Sequence, residues 1–368
     1  MELGVVLCYR AEKPRSERTL PMEPLLVTVS VPVAPRAGMD ADALHAYAGA
    51  LVRDVEAAAP EMGGYEVRAV RVVGECPQVM AAADLGRVLH ALRDRFAVAA
   101  GCEVVVDAMP GRLTADDLGA YRDAGVTSLA IDVRTTQGRE AKRLDRACDV
   151  GDGLATVLLL QREGFESYGV RIGCGFAEQT EDSFRRTLND AFFMEPDFVF
   201  VRREQAVGRP APSDDALVAM RVYADRFLRG YGYAPQVAGL YAKPAKAPVF
   251  DRMACEGAAT LGVGLGSESC YEGLLYRTTP DLERYLAHAG DLEETCQVAG
   301  VLDPADQDRR RVAGLLHLPD GMARREAPSC LLPALDRMAA AGTLELVDDR
   351  YRMTPRAVAL GMEPVDLW

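Results

Sequence analysis

The feature that most limits what this chain can fold into is a strand that keeps returning. β-rich runs at 25–31 (LLVTVSV), 66–73 (EVRAVRVV), 103–107 (EVVVD), 127–133 (TSLAIDV), 168–173 (YGVRIG) and 197–201 (DFVFV) recur about every 35 residues, with helical patterns between them. From Asp42 the apolar positions Leu44, Tyr47, Leu51 and Val55 step by three and four, and from Asp84 so do Leu85, Val88, Leu89, Leu92 and Phe96. Phe184, Leu188 and Phe192 form a further stripe, and Thr114, Ser183 and Ser213 suit helix caps or first turns. Repeated β-helix-β units with right-handed crossovers build a parallel sheet. Six of them curl most simply into an incomplete (β/α)6 barrel over about 24–240, with a doubly wound open sheet as the alternative.

Outside that region the rhythm changes. Residues 1–23 read as an N-terminal extension and 241–304 as a connecting segment. The stretch 305–368 reads as a small winged-helix-like domain, with two helices followed by a hairpin, Thr343–Val347 and Tyr351–Thr354, around Asp348-Asp349-Arg350. Within the connecting segment, Leu261-Gly-Val-Gly-Leu-Gly-Ser-Glu-Ser-Cys270 predicts close backbone approach. It is not a dinucleotide fingerprint, because the third glycine place, counted from Gly262, holds Ser267.

Charge and cysteine usage exclude several functions. Lys and Arg total 42 against 55 Asp and Glu, a net charge of −13, which disfavours a surface built for phosphates or anionic lipid. Acidic and basic residues nearly balance across 305–368 and no helix there carries a basic stripe, so nucleic acid is not an expected partner. No apolar run approaches the ~20 residues of a membrane span. The apolar stretch 4–8 is too short for a secretory leader, so the expected location is the cytoplasm. The nine cysteines fall at 8, 76, 102, 148, 174, 255, 270, 296 and 330. With no two within five residues of each other, neither a local zinc knuckle nor an iron–sulfur loop is legible.

Taken in order, segments from about Pro24 to Thr354 resemble the oxygen-independent coproporphyrinogen III oxidase-like family of radical S-adenosylmethionine (SAM) proteins, which includes haem chaperones and anaerobic haem-degrading enzymes. Pro24–Val33 resembles the family's first strand, with Ser30 in its histidine place. The three CxxxCxxC cysteine places then hold Ala34, Gly38 and Ala41. Val73-Gly74-Glu75-Cys76-Pro77 is similar to the Gly-Gly-Gly-Thr-Pro turn that faces the SAM methionine. Asp107-Ala-Met-Pro-Gly111 resembles the acidic strand-three motif, and Gly125–Thr135 the fourth-strand signature. Asp145–Cys148 and Arg171–Thr180 follow later motifs, keeping Arg146, Gln179 and Thr180. Gly264-Leu-Gly-Ser-Glu-Ser269 is similar to Gly-x-Gly-Ala-His-Ser, with Glu268 in the histidine place.

The resemblance implies a radical SAM-like fold whose cofactor site is degenerate. A loop without thiolates holds no [4Fe–4S] cluster, and SAM, normally chelated by that cluster, is not an expected cofactor. The degenerate SAM and substrate pocket is then marked by Gly74, Glu75, Cys76, Asp107, Arg134, Arg146 and Arg171, with no catalytic residue and no metal ligand among them. Glu75 crowds the turn or points to solvent. The arginines meet carboxylates of a ligand or are locked to Asp107, Asp132 and Glu75. Cys76 and Cys174 form a relocated thiol pair or pack as small hydrophobes, and His45 is a haem ligand only if exposed. The expected function is non-catalytic binding of haem or another porphyrin. The alternative is a pseudoenzyme that scaffolds or regulates an active paralogue as its protein partner.

Overall fold

The computed structural model describes residues 22–31, 39–74, 76–144, 150–165, 167–204, 210–364 and 367. In chain order the first part runs β1 (Glu23–Ser30), α1 (Ala41–Ala58), β2 (Tyr65–Val73), α2 (Ala82–Arg95), β3 (Ala97–Ala108), α3 (Ala115–Asp123), β4 (Ser128–Arg134), α4 (Gly138–Arg143), α5 (Val150–Arg162), β5 (Tyr168–Cys174), α6 (Glu181–Phe192), β6 (Phe198–Arg203) and α7 (Asp214–Gly230). The second part runs β7 (Ala234–Val237), β8 (Leu240–Ala242), α8 (Val249–Cys255), β9 (Ala259–Val263), β10 (Glu268–Tyr271), β11 (Leu274–Thr278), α9 (Leu282–His288), α10 (Leu292–Thr295), β12 (Cys296–Val301), α11 (Pro304–Leu316), β13 (Met322–Ala323), α12 (Leu332–Ala340), β14 (Leu344–Val347), β15 (Arg350–Met353) and α13 (Pro355–Leu360).

The chain divides into two compact units, one made of 1–108, 113–128 and 258–307, the other of 109–112, 129–257 and 308–368. Strand order in the first is β12-β11-β10-β9-β1-β2-β3. Its centre is parallel: Val27 of β1 lies opposite Val70 of β2 on one side and Leu261 of β9 on the other. Leu25, Leu26 and Val27 are consecutive and all fully buried, the signature of a strand covered on both faces. The α1 stripe read from the sequence, Leu44, Tyr47, Leu51 and Val55, is buried against this sheet, and Asp40 caps the helix by accepting from Ala43 N at 2.9 Å.

In the second unit β4, β5 and β6 are parallel and sequential, and the antiparallel β8 and β7 extend the edge. Residues 308–368 add a three-stranded antiparallel sheet, β13-β15-β14, and a core of Leu316, Met322, Leu335, Met338, Leu344 and Tyr351. The hairpin expected around Asp348-Asp349 is present, with both aspartates at positive φ. Ser183, expected as a cap or first-turn residue, lies in the first turn of α6 and closes a capping box with Thr180, the cap. Two details depart from the sequence reading. β3 starts at Ala97 rather than Glu103, because Ala97 and Val98 pair with Glu66 and Val67 of β2 ahead of a register shift. The stretch 241–304, expected only to connect, contains β9, a further parallel strand beside β1.

Candidate functional site

In α/β folds the carboxyl ends of parallel strands carry the chemistry, because the loops there are free to vary. In the first unit those ends bring together Ser30 and Val31, Gly74 and Cys76, and Asp107. Gly74 has φ +155°, and a Cβ on it would lie 2.4 Å from the Val31 carbonyl oxygen, so its bare backbone is used to pass close to the end of β1. Asp107 is buried at the end of β3, with Arg71 Nε of β2 3.8 Å from its Oδ1. Cys76 is buried at the head of a short 3-10 turn, Pro77–Val79. Glu75, Ala34 and Gly38 lie outside the described residues, and Ala41 is the first residue of α1. The donor set at those three cluster places is two alanines and a glycine, which offer iron no ligand.

The Gly-rich run seals the same end of β1 from the other side. Gly264 has φ +101°, and a Cβ there would fall 2.7 Å from both Ser30 O and the Tyr47 hydroxyl. Tyr47 reaches up from α1, donates to Ser30 O at 2.8 Å and accepts from Leu265 N at 2.9 Å. Ser267 and Thr278 tie the loop together through their hydroxyls. Burial holds the Tyr47 phenol protonated, well above its ordinary range. Tyr285, whose ring packs 5.4 Å from that of Tyr47, donates to Asp54 Oδ2 at 2.5 Å. Asp54 is itself pushed above the usual carboxylate range by burial, although Tyr285 and Gly290 N hydrogen-bond it. Glu268, in the family's histidine place, pairs with Arg277 at 3.0 Å on the surface. Ser30, Tyr47, Gly264 and Glu268 were named from the sequence but their contacts were not; the i, i+4 stripe marked Tyr47 as core without showing its polar end.

In the second unit, Arg134 ends β4 in the left-handed region (φ 53°), just past a register break against β5. Its Nε lies 3.3 Å from Asp132 Oδ2 and 3.8 Å from Glu204 Oε1, so the expected lock to Asp132 is present and a second carboxylate joins it. Glu204 is held beside the end of β5 by its N–H donating to Cys174 O at 2.8 Å. Arg171 is buried in β5, in register with Asp132, and its guanidinium stacks over Phe200 at 5.3 Å. Arg146 lies outside the described residues. Gln179 and Thr180 hold the backbone here. The buried Gln179 amide accepts from Gly175 N at 2.6 Å and donates to Gly173 O at 3.2 Å, closing the β5–α6 turn, and Thr180 caps α6.

The thiols serve packing. Cys174 is buried, with its Sγ 3.7 Å from Met220 Sδ, and burial pushes its thiol up to about 11, away from the thiolate that metal binding or nucleophilic attack needs. Cys76 and Cys174 fall in different units. Among the described residues no group of three His, Cys, Asp or Glu is placed to hold a metal ion. His45 is exposed, with 66% of its side chain accessible, and its Nδ1 lies 2.9 Å from the buried Asp84 carboxylate. No helix among the described residues is long and apolar enough to cross a membrane.

No protein-family model matches the chain. It is 24% identical over 271 residues to a heme chaperone of Escherichia coli, covering 68% of this chain and 71% of that protein. To a heme chaperone of Mycobacterium tuberculosis it is 25% identical over half of each chain. The oxygen-independent coproporphyrinogen III oxidase of E. coli is 25% identical over 151 residues, 41% of this chain and 33% of that one. The solved structure of the E. coli coproporphyrinogen III oxidase, described as a radical SAM enzyme, superposes with a TM-score of 0.77 over 95% of this chain and 90% of that one, at 18% identity. That last likeness establishes a shared α/β architecture. In sequence the chain is thus similar to heme chaperones and oxygen-independent coproporphyrinogen III oxidases, and it shares the fold of the E. coli coproporphyrinogen III oxidase.

Proposed function

We propose that this chain is a cytoplasmic, non-catalytic tetrapyrrole-binding protein, a family member that has given up radical chemistry. The observation that carries the reading is the similarity to a heme chaperone over 68% of the chain, combined with Ala34, Gly38 and Ala41 where the family places thiolates. Without thiolates there is no cluster, and without a cluster no electron reaches SAM, so neither is a cofactor in this reading. The turn that would face SAM supports it: Gly74 is committed to passing Val31, and Glu75 adds a carboxylate beside it. The finer architecture belongs to the same proposal: an incomplete (β/α)6 barrel over 24–240 and a winged-helix-like domain over 305–368, with β9 of the intervening 241–304 laid beside β1.

Haem or a porphyrin would present carboxylates, for which arginine offers bidentate geometry. Arg134 is the contact we assign first, since a quarter of its side chain is accessible whereas Arg171 is buried; Arg146 is the third candidate. Titration with haem and with coproporphyrin tests this, and a saturable absorbance change is expected. Dissociation constants weaker than about 100 μM would overturn the reading. So would binding unchanged when Arg134, Arg146 and Arg171 all become alanine. Either result would favour a pseudoenzyme that scaffolds or regulates an active paralogue. One observation favours that second reading: Asp132 and Glu204 already neutralise Arg134. Anaerobic reconstitution with iron and sulfide analysis tests the cluster. Stoichiometric iron that disappears on replacing Cys76 and Cys174 would overturn its absence.

A further inference from the structure

A cavity of about 490 Å³ lies in the second unit, between α7, the β7–β8 hairpin and the carboxy-terminal sheet with α13. Its walls are aliphatic: Val237, Leu316, Leu318, Met353, Pro355 and Val358. Its charges do not cancel. Arg221, Arg226, Arg229 and Arg352 line it against only Asp225 and Glu345, a local excess of positive charge on a chain whose net charge is −13. Three of the four arginines are engaged. Arg229 forms a fork with Asp225 at 2.9 and 3.0 Å, Arg352 pairs with Glu345 at 2.6 Å, and Arg221 donates to the Val201 carbonyl. Arg226 is exposed at the cavity and has no hydrogen-bond or ion-pair partner among the described residues.

A cavity of this size with apolar walls and a few polar groups has the make-up of a small-molecule site. We infer that it binds a medium-length aliphatic carboxylate, the chain lying along the Val237–Val358 wall and the carboxylate on the Arg226 guanidinium. The aliphatic walls select the body, and the uncommitted planar guanidinium, which matches a carboxylate with two parallel N–H groups, selects the head. Asp225 and Glu345, already paired, repel an anion placed elsewhere in the cavity, which fixes the orientation. This site is independent of the tetrapyrrole reading, because it uses none of the strand-end arginines.

Isothermal calorimetry of the full chain with decanoate tests the inference, with 1-decanol as the neutral probe of the same length. Saturable decanoate binding is expected below about 1 mM, with Arg226→Ala weakening it about fivefold or more, and decanol binding weaker by at least a similar factor. Arg226 is exposed and makes no bond to another described residue, so the variant's thermal unfolding should match that of the parent. Haem affinity should be unchanged in Arg226→Ala, which separates failure of this site from failure of the tetrapyrrole reading. No saturable decanoate signal up to about 1 mM, less than about fivefold loss in Arg226→Ala, or decanol binding as tightly as decanoate would each overturn it.

Discussion

Replacing Gly264 with alanine asks whether the Gly-rich loop is built for the fold or for a ligand. The added Cβ would sit 2.7 Å from Ser30 O, 2.7 Å from the Tyr47 hydroxyl and 2.9 Å from Leu51 Cδ2, at φ +101°. Backbone strain at such a φ costs about 1–3 kcal/mol, and forcing atoms into a filled core about 1–3 kcal/mol more. The neighbouring Gly266 is the control. It too has positive φ (+63°), but a Cβ there meets nothing within 4 Å, so Gly266→Ala carries only the left-handed penalty of about 1–2 kcal/mol. Urea unfolding of both variants should place Gly264→Ala at least about 2 kcal/mol below Gly266→Ala, with m-values unchanged. If the two differ by less than about 1 kcal/mol, the close approach of this loop to β1 is not what the glycine serves.

Other outcomes follow from the same geometry. Asp107→Ala should destabilise by about 3–5 kcal/mol in urea unfolding, because it leaves the Arg71 guanidinium buried beside an uncharged methyl. Asp54, with its folded-state pKa raised, contributes stability that is full below the unfolded carboxylate pKa and is lost as pH rises through the folded value. The stability of the parent relative to Asp54→Asn should therefore fall between acidic and neutral pH, and a rise would refute the desolvation argument. Cys174, held near 11, should react with a thiol reagent at pH 8 far more slowly than the exposed Cys330, read by peptide mass mapping. Restoring thiols in Ala34→Cys/Gly38→Cys/Ala41→Cys with Glu75→Gly should confer iron and sulfide uptake that the parent lacks; no uptake would mean that the site has changed beyond those four positions.

How much was legible in the sequence depended on what each signal encodes. Strands such as Leu25–Val31 and Val67–Val73 are apolar runs rich in β-branched residues, broken only by Thr28, Ser30, Arg68 and Arg71, and helices such as α1 and α2 carry a full stripe, so the pattern of residues located them. β9 escaped because its five residues, Ala-Thr-Leu-Gly-Val, owe their strand conformation to pairing with β1, a contact more than two hundred positions away in the chain. The candidate site divides in the same way. Asp132 was among the carboxylates offered as locks for the arginines, and Arg134, two residues further along the same strand, lies 3.3 Å from it. Glu204, Tyr285 and Asp54 were not anticipated, since each meets its partner only through tertiary folding and no spacing rule reaches that far. Gln179 and Thr180 were noticed through resemblance, yet their hydrogen bonds to Gly175, Gly173 and Ser183 make them parts of a turn and a cap.

The carboxyl end of β1 is gripped twice, by Gly74 against the Val31 carbonyl and by Gly264 with Tyr47 against that of Ser30, while Asp40 pins the start of α1. For protein engineering this makes the interval between Val31 and Asp40 a ready grafting site. Both anchor points are held by contacts outside the interval, so a transplanted loop need not organise its own ends, and the entropic cost of a longer insert grows only with the logarithm of its length, about 0.6 kcal/mol per doubling. A metal-binding or peptide-binding segment could be exchanged there while the sheet that carries it is left intact.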